Sequence, residues 1–345
     1  MSTAGIGRKN WKAILHSGNC VVSAVASRDV RKSREFILEC QNEHAFDRIP
    51  DAFGSYEALL ASPNVDAVYV PLPTGLRKEW VLRAAAAGKH VLCEKPCAVS
   101  AAELDEMLAA CRKNNVQFMD GVMFMHSPRL EKIREVLDDG SSIGKIQRIS
   151  SNFSFYLGED FFRSNIRADG ALEPAGCLGD LGWYSIRFIL WTLNWQLPHT
   201  VTAKILAQSA SGAPTEFSAE LFFADGVSAE FYCSFFTARQ QTVAVGGRNG
   251  WLRMPDFVHP RNGYEPAFEL NQAEVRVASD VKCPPGADPG TFGHATAQDT
   301  RMFRNFANQI FSGKLNEEWP MWARQTQIVL DASLAVGRSG SPAKI

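Results

Sequence analysis

Residues 86–97 read Ala-Ala-Gly-Lys-His-Val-Leu-Cys-Glu-Lys-Pro-Cys, and their order decides the fold. Gly88 ends a helix, the apolar residues to Cys93 form a short buried strand, and Glu94-Lys95-Pro96 stands at that strand's carboxyl end. Open α/β sheets bind their ligands at this end. A lysine delivered there needs its charge offset by a carboxylate, a cofactor phosphate or the substrate, and Glu94 is the nearest candidate. Alone, Glu-Lys-Pro reads as a solvated ion pair closed by a turn proline; the flanking chain argues for the crevice.

Upstream, Tyr56–Leu60 is a short helix, Val65–Val70 a buried strand, Pro71-Leu-Pro-Thr-Gly75 a turn, and residues 76–88 a helix. Downstream, Ser100 caps a helix running to about Asn114, and Val116–Val122 is a further strand. Earlier still, Val21–Arg28 is an apolar run closed by a polar turn, followed by a charged helix from Val30 to Cys40. Strands alternating with helices through residue 122 predict a parallel, doubly wound sheet. Residues 1–20 form a small-residue turn entering an amphipathic helix with Ile6, Trp11, Ile14 and Leu15 on one face. Gly5-x-Gly7 begins a dinucleotide fingerprint, with Asn10 in place of the third glycine and no strand before the turn.

Beyond residue 125 the period changes to two, over Lys145–Phe155, His199–Gln208, Ala219–Phe223, Val227–Phe235 and Gln241–Val245. Arg248-Asn-Gly250 reads as a hairpin turn into Trp251. These runs predict an antiparallel sheet and an α+β domain. An aromatic helix spans about Gly179–Trp195, residues 284–295 form a loop, and helices follow over Ala297–Ser312 and Pro320–Val336. The expected domains are therefore 1–124 and 125–345, with the C-terminal helix packing back on the first.

At 345 residues with a formal net charge of −1 the chain offers no basic field for nucleic acid and no cationic face for a membrane. Its eight cysteines lack metal-site spacing and read as buried reduced thiols, so no metal is expected. No apolar run reaches the ~20 residues of a membrane span, and the start lacks the order of a signal peptide, which points to the cytoplasm.

The chemistry resides in Lys95 and in Gly179-Asp180-Leu-Gly-Trp-Tyr184. Asp180 and Tyr184, four apart, face one way on a helix. A lysine, an acid and a phenol suit hydride transfer, which needs one group to exchange a hydroxyl proton and others to tune it. A phenol is a poor base near neutrality unless an ammonium stabilises the phenolate. In a Rossmann unit the residue at the second strand's end meets the ribose, and arginine there suits a 2′-phosphate. Ser27-Arg28 occupies that place, with Arg31 and Lys32 beyond it and Asp29 close by.

These features resemble the Gfo/Idh/MocA family of nicotinamide-dependent oxidoreductases, in particular its dihydrodiol and D-xylose dehydrogenase branch. The resemblance is carried by Val25-Ala-Ser-Arg28, Tyr69-Val-Pro-Leu-Pro-Thr74, Ala87-Gly-Lys-His-Val-Leu-Cys-Glu-Lys-Pro96, Met119-Asp-Gly121 and Leu178-Gly-Asp-Leu-Gly-Trp-Tyr184. It implies catalysis by Lys95, Asp180 and Tyr184, with His126 as the alternative base. It implies NADP, in preference to NAD, held by Ala4, Gly5, Ile6, Gly7, Ser27, Arg28, Pro71, Leu72, Pro73, Glu94 and Lys95. A sugar, polyol or cyclic trans-diol would meet Lys95, His126, Phe153, Arg163, Asp180 and Tyr184. A cis Lys95-Pro96 bond and a homodimer through the second domain's sheet are also implied.

Three departures stand out. The chain opens in the turn itself, so the first strand is absent, which predicts two exposed ladder edges and a reduced pyrophosphate platform. Either the start is misplaced or the protein is impaired, and the alternative to an enzyme is a catalytically impaired nucleotide-binding sensor or regulatory protein of the same fold. Arg77 stands where relatives often have histidine, and Ala175–Gly179 is a reduced glycine-rich stretch; both changes are expected to alter the substrate pocket.

Overall fold

The computed structural model describes residues 1–158, 165, 167, 169–260, 267–277 and 294–345. They form two compact units. The first comprises Met1–Cys97, Ala102–Ser127 and the described part of Ser279–Pro320, and the second Ala98–Ala101, Pro128–Ala278 and Met321–Ile345.

The first unit opens with α1 (Gly5–Ser17), then β1 (Ala24–Ala26), α2 (Val30–Glu43), β2 (Asp51–Phe53), α3 (Tyr56–Leu60), β3 (Ala67–Val70), α4 (Thr74–Ala86), β4 (His90–Cys93), α5 (Ala101–Lys113) and β5 (Phe118–Asp120). Each strand is joined to the next by a helix, and every strand pairing in this unit is parallel. They do not form one sheet: β1 pairs with β2, and β3, β4 and β5 pair in that order. The break lies between β1 and β3. Trp11 of α1 seals this side, packing edge-on against Phe36 and Phe46 and donating through Nε1 to the His44 carbonyl at 2.7 Å.

Helix α8 is Gln298–Phe311; α6, α7 and α9 belong with the second unit. α8 corrects the expected boundary, because it belongs to the first unit although it lies near the end of the chain. Its apolar stripe explains this: Phe303 meets Tyr69 of β3 edge-on at 5.8 Å, and Arg304 donates to the Ser17 carbonyl at 2.8 Å. The first boundary falls at Ser127 rather than residue 124, where Pro128 starts α6 (Pro128–Asp138).

The second unit holds a nine-stranded sheet of β6 (Ile146–Ser154), β7 (Thr200–Gln208), β8 (Pro214–Phe222), β9 (Ser228–Ser234), β10 (Gln240–Gly247), β11 (Trp251–Met254), β12 (Ala267–Leu270), β13 (Ala273–Arg276) and β14 (Ala343–Lys344). Their spatial order is β13-β12-β11-β10-β6-β9-β8-β7-β14. The expectation of an antiparallel sheet needs correction at one place, where β6 runs parallel to β9. The long excursion between β6 and β7 lets the chain return to the far side, so β9 enters beside β6 in the same direction. Against the sheet lies α7 (Trp183–Thr192), nearly all of whose residues are buried. The C-terminal helix α9 (Glu318–Ser339) packs within this unit, against expectation: Arg187 of α7 donates to Thr326 at 2.7 Å, and Trp195 stacks on Trp322 at 5.2 Å. The loop expected at 284–295 lies almost wholly outside the described residues.

Candidate active site

In the first unit the site is built at the carboxyl ends of the parallel strands. β4 delivers Glu94 and Lys95, and the Lys95-Pro96 bond is cis. Glu94 accepts the Tyr69 hydroxyl on one oxygen, and its other oxygen accepts the Lys95 amide at 3.3 Å. Gly121 leaves room for that carboxylate, since a β-carbon there would stand 3.1 Å from Glu94 Oε1. Burial and the Glu94 charge push the Tyr69 phenol well above its usual range, so Tyr69 is a fixed donor. Asn10, in the third-glycine place, donates to the same hydroxyl at 2.7 Å.

Lys9 stands beside these groups and was not anticipated from the sequence. It lies on α1, half-buried, with Asp299 of α8 3.9 Å away and the charges of Glu94 and Lys95 near enough to act on it. Burial lowers its pKa most, while Asp299 and then Glu94 oppose that. The one available signal was its place a single helical turn beyond Gly5-x-Gly7.

The residues expected to hold a nucleotide divide by role. α1 starts at Gly5 with no side-chain cap and no acid in its first turn, and a β-carbon at Gly5 would meet nothing within 4 Å. An uncapped helix start of this kind suits an anion. Gly7 instead serves packing, with Phe36 only 3.2 Å from where a β-carbon would stand. Ala4 is the N-cap residue and Ile6 is partly exposed. Ser27 is buried at the end of β1, and Arg28 beside it is exposed with no ion pair among the described residues. The basic neighbours need correcting: Arg31 is held by Asp29, Nη2 to Oδ2 at 2.9 Å, while Asp29 caps α2 through the Arg31 amide. That leaves Arg28 and exposed Lys32 for a phosphate. Pro71 and Leu72 are buried and Pro73 caps α4. These residues fit a dinucleotide with a 2′-phosphate.

Arg77, expected to alter the substrate pocket, is tied to backbone within the first unit. It is buried, donating through Nε to the Leu72 carbonyl at 2.7 Å and through Nη1 to the Pro96 carbonyl, so it fastens the Pro71–Pro73 turn to the strand-end turn. His126 closes a 3₁₀ turn, edge-on to Trp319, its Nδ1 3.0 Å from Asn305 Nδ2.

In the second unit, Leu178–Gly182 is a single π-helical turn running into α7. Such turns occur frequently at functional sites. Gly182 fits because a β-carbon would stand 2.8 Å from Leu178 Cδ1. Asp180 lies in the turn and Tyr184 in the first turn of α7, where Phe153 of β6 meets the phenol ring edge-on at 5.6 Å. Asp180 accepts from Arg167 Nε at 2.9 Å. Arg167 was not anticipated, because the polar residues around it in the sequence carry no period. Arg163, expected nearby, lies outside the described residues.

The two units thus present a lysine at the carboxyl end of a parallel sheet and an acid–phenol pair on a helix. This is the equipment of a dinucleotide-binding oxidoreductase. The profile described as "Oxidoreductase family, NAD-binding Rossmann fold" matches residues 3–122, and the "GFO/IDH/MocA C-terminal domain" matches residues 130–253. The chain belongs to the Gfo/Idh/MocA oxidoreductase family. It is 34% identical over 286 residues to D-xylose 1-dehydrogenase (NADP(+)) 2 of Haloferax volcanii, covering 81% of this chain and 80% of that protein. To the trans-1,2-dihydrobenzene-1,2-diol dehydrogenase of Mus musculus it is 35% identical over 262 residues, covering 75% and 74%. Among solved structures, KijD10, a 3-ketoreductase from Actinomadura kijaniata in complex with NADP and TDP-benzene, superposes with a TM-score of 0.81. The identity is 26%, over 97% of this chain and 95% of that one. The alternative of an impaired sensor finds no support in these comparisons. No helix among the described residues is long and apolar enough to cross a membrane.

Proposed function

We propose that the protein is an NADP-dependent dehydrogenase or reductase acting on the CH–OH group of a sugar, polyol or cyclic trans-diol. The observation that carries this reading is the pairing of functions on α7 and its π-helical turn: Asp180 held by Arg167, and Tyr184 buried against Phe153. Tyr184 exchanges the proton of the reacting hydroxyl. Lys95 holds the reacting oxygen and lowers the phenol's pKa, and Asp180 orients the substrate. When bound, NADP(H) supplies or accepts the hydride. Gly5 and the first amides of α1 would hold its pyrophosphate, Arg28 its 2′-phosphate, and Pro71–Pro73 its nicotinamide side.

The substrate class rests on the relatives' names and on the polar character of Asp180 and Arg167, both suited to hydroxyl-rich ligands. NADPH absorbance followed against aldoses, inositols and dihydrodiols tests it; turnover of one class supports the reading, and no turnover of any by folded, NADPH-binding protein contradicts it. We place the enzyme in the cytoplasm, supported by the free thiols of its seven described cysteines. We also assign a homodimer through the outer face of the nine-stranded sheet. In support, that face is broad and carries an Arg148–Glu230 ion pair at 2.7 Å, with Glu220 on the same guanidinium. A monomer at micromolar concentration in sedimentation would refute it.

A further inference from the structure

Two helices of the first unit meet beside the Glu94–Lys95 turn. α1 brings Asn10, whose side-chain amide donates to the Tyr69 hydroxyl at 2.7 Å, and that hydroxyl donates to Glu94. α8 brings Phe303, which stands edge-on to the Tyr69 ring at 5.8 Å and lies one turn beyond Asp299 on the same helix face. The two helices are also joined by charge: Lys9, next to Asn10, has its Nζ 3.9 Å from Asp299 Oδ2. Water reaches little of this pair, since 21% of the Lys9 side chain and 3% of the Asp299 side chain are exposed. Asp299 lies in the first turn of α8, where the helix dipole favours an anion, and its Oδ1 accepts the Thr300 amide at 3.2 Å.

Four charges of alternating sign therefore stand together, in the order Asp299, Lys9, Glu94 and Lys95. Burial pushes the Lys9 pKa down; Asp299 and then Glu94 oppose the fall, and Lys95 adds to it. Arg8, the neighbouring cation on α1, pairs with Glu39 of α2 instead. Joining α8 to α1 does not require a shielded ammonium, because Arg304 already ties the two through the Ser17 carbonyl at 2.8 Å. What Lys9 adds is a cation beside Glu94, the carboxylate whose Oε2 accepts the Lys95 amide at 3.3 Å.

We infer that Lys9 and Asp299 form a positioning pair for Lys95. Held by Asp299, the Lys9 ammonium steadies the Glu94 carboxylate, and Glu94 fixes the backbone of the turn that presents Lys95. Lys9 acts through Glu94, and it is the charge of Lys9, rather than its bulk, that the turn needs. The inference rests on the reading that Lys95 holds the reacting oxygen.

Lys9→Met, Asp299→Asn and the double variant Lys9→Arg/Asp299→Asn test it through two readouts. The first, which needs no substrate, is labelling of Lys95 by acetic anhydride, read by peptide mass across the alkaline range. Lys9→Met removes a like charge and should move the onset of Lys95 labelling to higher pH. The second is kcat with NADPH, which Lys9→Met should lower about ten- to hundredfold while the Kd for NADPH stays within about threefold. In Asp299→Asn, Lys9 loses the neighbour that most opposes its burial and gives up its proton more readily, so the alkaline fall in kcat should come at lower pH than in the parent. Lys9→Arg in that background should remove the early fall, because a guanidinium stays protonated. Unchanged Lys95 labelling in Lys9→Met would overturn the inference. So would a lower Tm in these variants with kcat and its pH profile as in the parent, which would leave the pair a fastening between helices. If the labelling shifts but the parent turns over no substrate in the panel, the pair stands and the dehydrogenase reading falls.

Discussion

Arg167 donates through Nε to Asp180 Oδ2 at 2.9 Å, and Asp180, foremost among its neighbours, raises the guanidinium's pKa. The pair gives the acid of the π-helical turn a cation that aims it. Arg167→Met should therefore lower kcat/KM by about 10- to 100-fold. Because a carboxylate that loses its cation is harder to ionise, the acid limb of the pH–rate profile should move to higher pH. Unchanged rate and profile would remove Arg167 from the site.

Arg28 stands exposed at the end of β1 while Asp29 is engaged by Arg31. Charge-assisted hydrogen bonds to a phosphate contribute about 1.5–3 kcal/mol. Arg28→Ala should raise the Kd for NADPH by roughly ten- to hundredfold and leave NADH affinity nearly unchanged. Equal loss for the two, by fluorescence titration, would contradict the 2′-phosphate assignment.

The buried Met1 amine gives stability a pH dependence whose sign is fixed. Its folded pKa, about 5, lies below the ordinary 8.0, so between these values the unfolded chain binds the extra proton and stability rises with pH. Over that window the gain amounts to at most ~4 kcal/mol, at about 1.4 kcal/mol for each unit. Urea unfolding at pH 5.5 and 8 should show it, and Nα-acetylation should abolish that part of the dependence. An acetylated chain with the same pH slope would contradict the assignment.

Arg129, in the first turn of α6, is 1% exposed and bonded to Asp256 Oδ1 at 2.6 Å as well as to the carbonyls of Asp256, Phe257 and Ala267. Removing one partner strands a buried charge, so Asp256→Ala should destabilise by about 3–5 kcal/mol in urea unfolding. A loss below about 1 kcal/mol, the range of exposed ion pairs, would show that the site is wetter than the geometry indicates.

Local pattern made much of this fold legible. The run ending at Glu94-Lys95-Pro96 is β4 and its turn, and Arg248-Asn-Gly250 joins β10 to antiparallel β11. Long-range relations were not legible. The return of α8 to the first unit depends on Phe303 finding Tyr69, and the parallel pairing of β6 with β9 depends on a chain reversal far from either strand. Lys95, Asp180 and Tyr184 could be singled out because their spacing predicts a strand end and one helix face, and those elements are where they lie. Lys9 and Arg167 could not, since a charged residue facing inward looks like any surface charge until its partners are in place.

The most direct test of the central claim is the turnover of Tyr184→Phe with NADPH and the substrate found in the panel. The phenol's proton exchange is typically worth ~10²–10⁴-fold, so kcat should fall by about that factor while nucleotide affinity stays within about twofold of the parent. Near-full turnover by Tyr184→Phe, together with loss of activity in His126→Ala, would contradict the account and move the proton to the histidine.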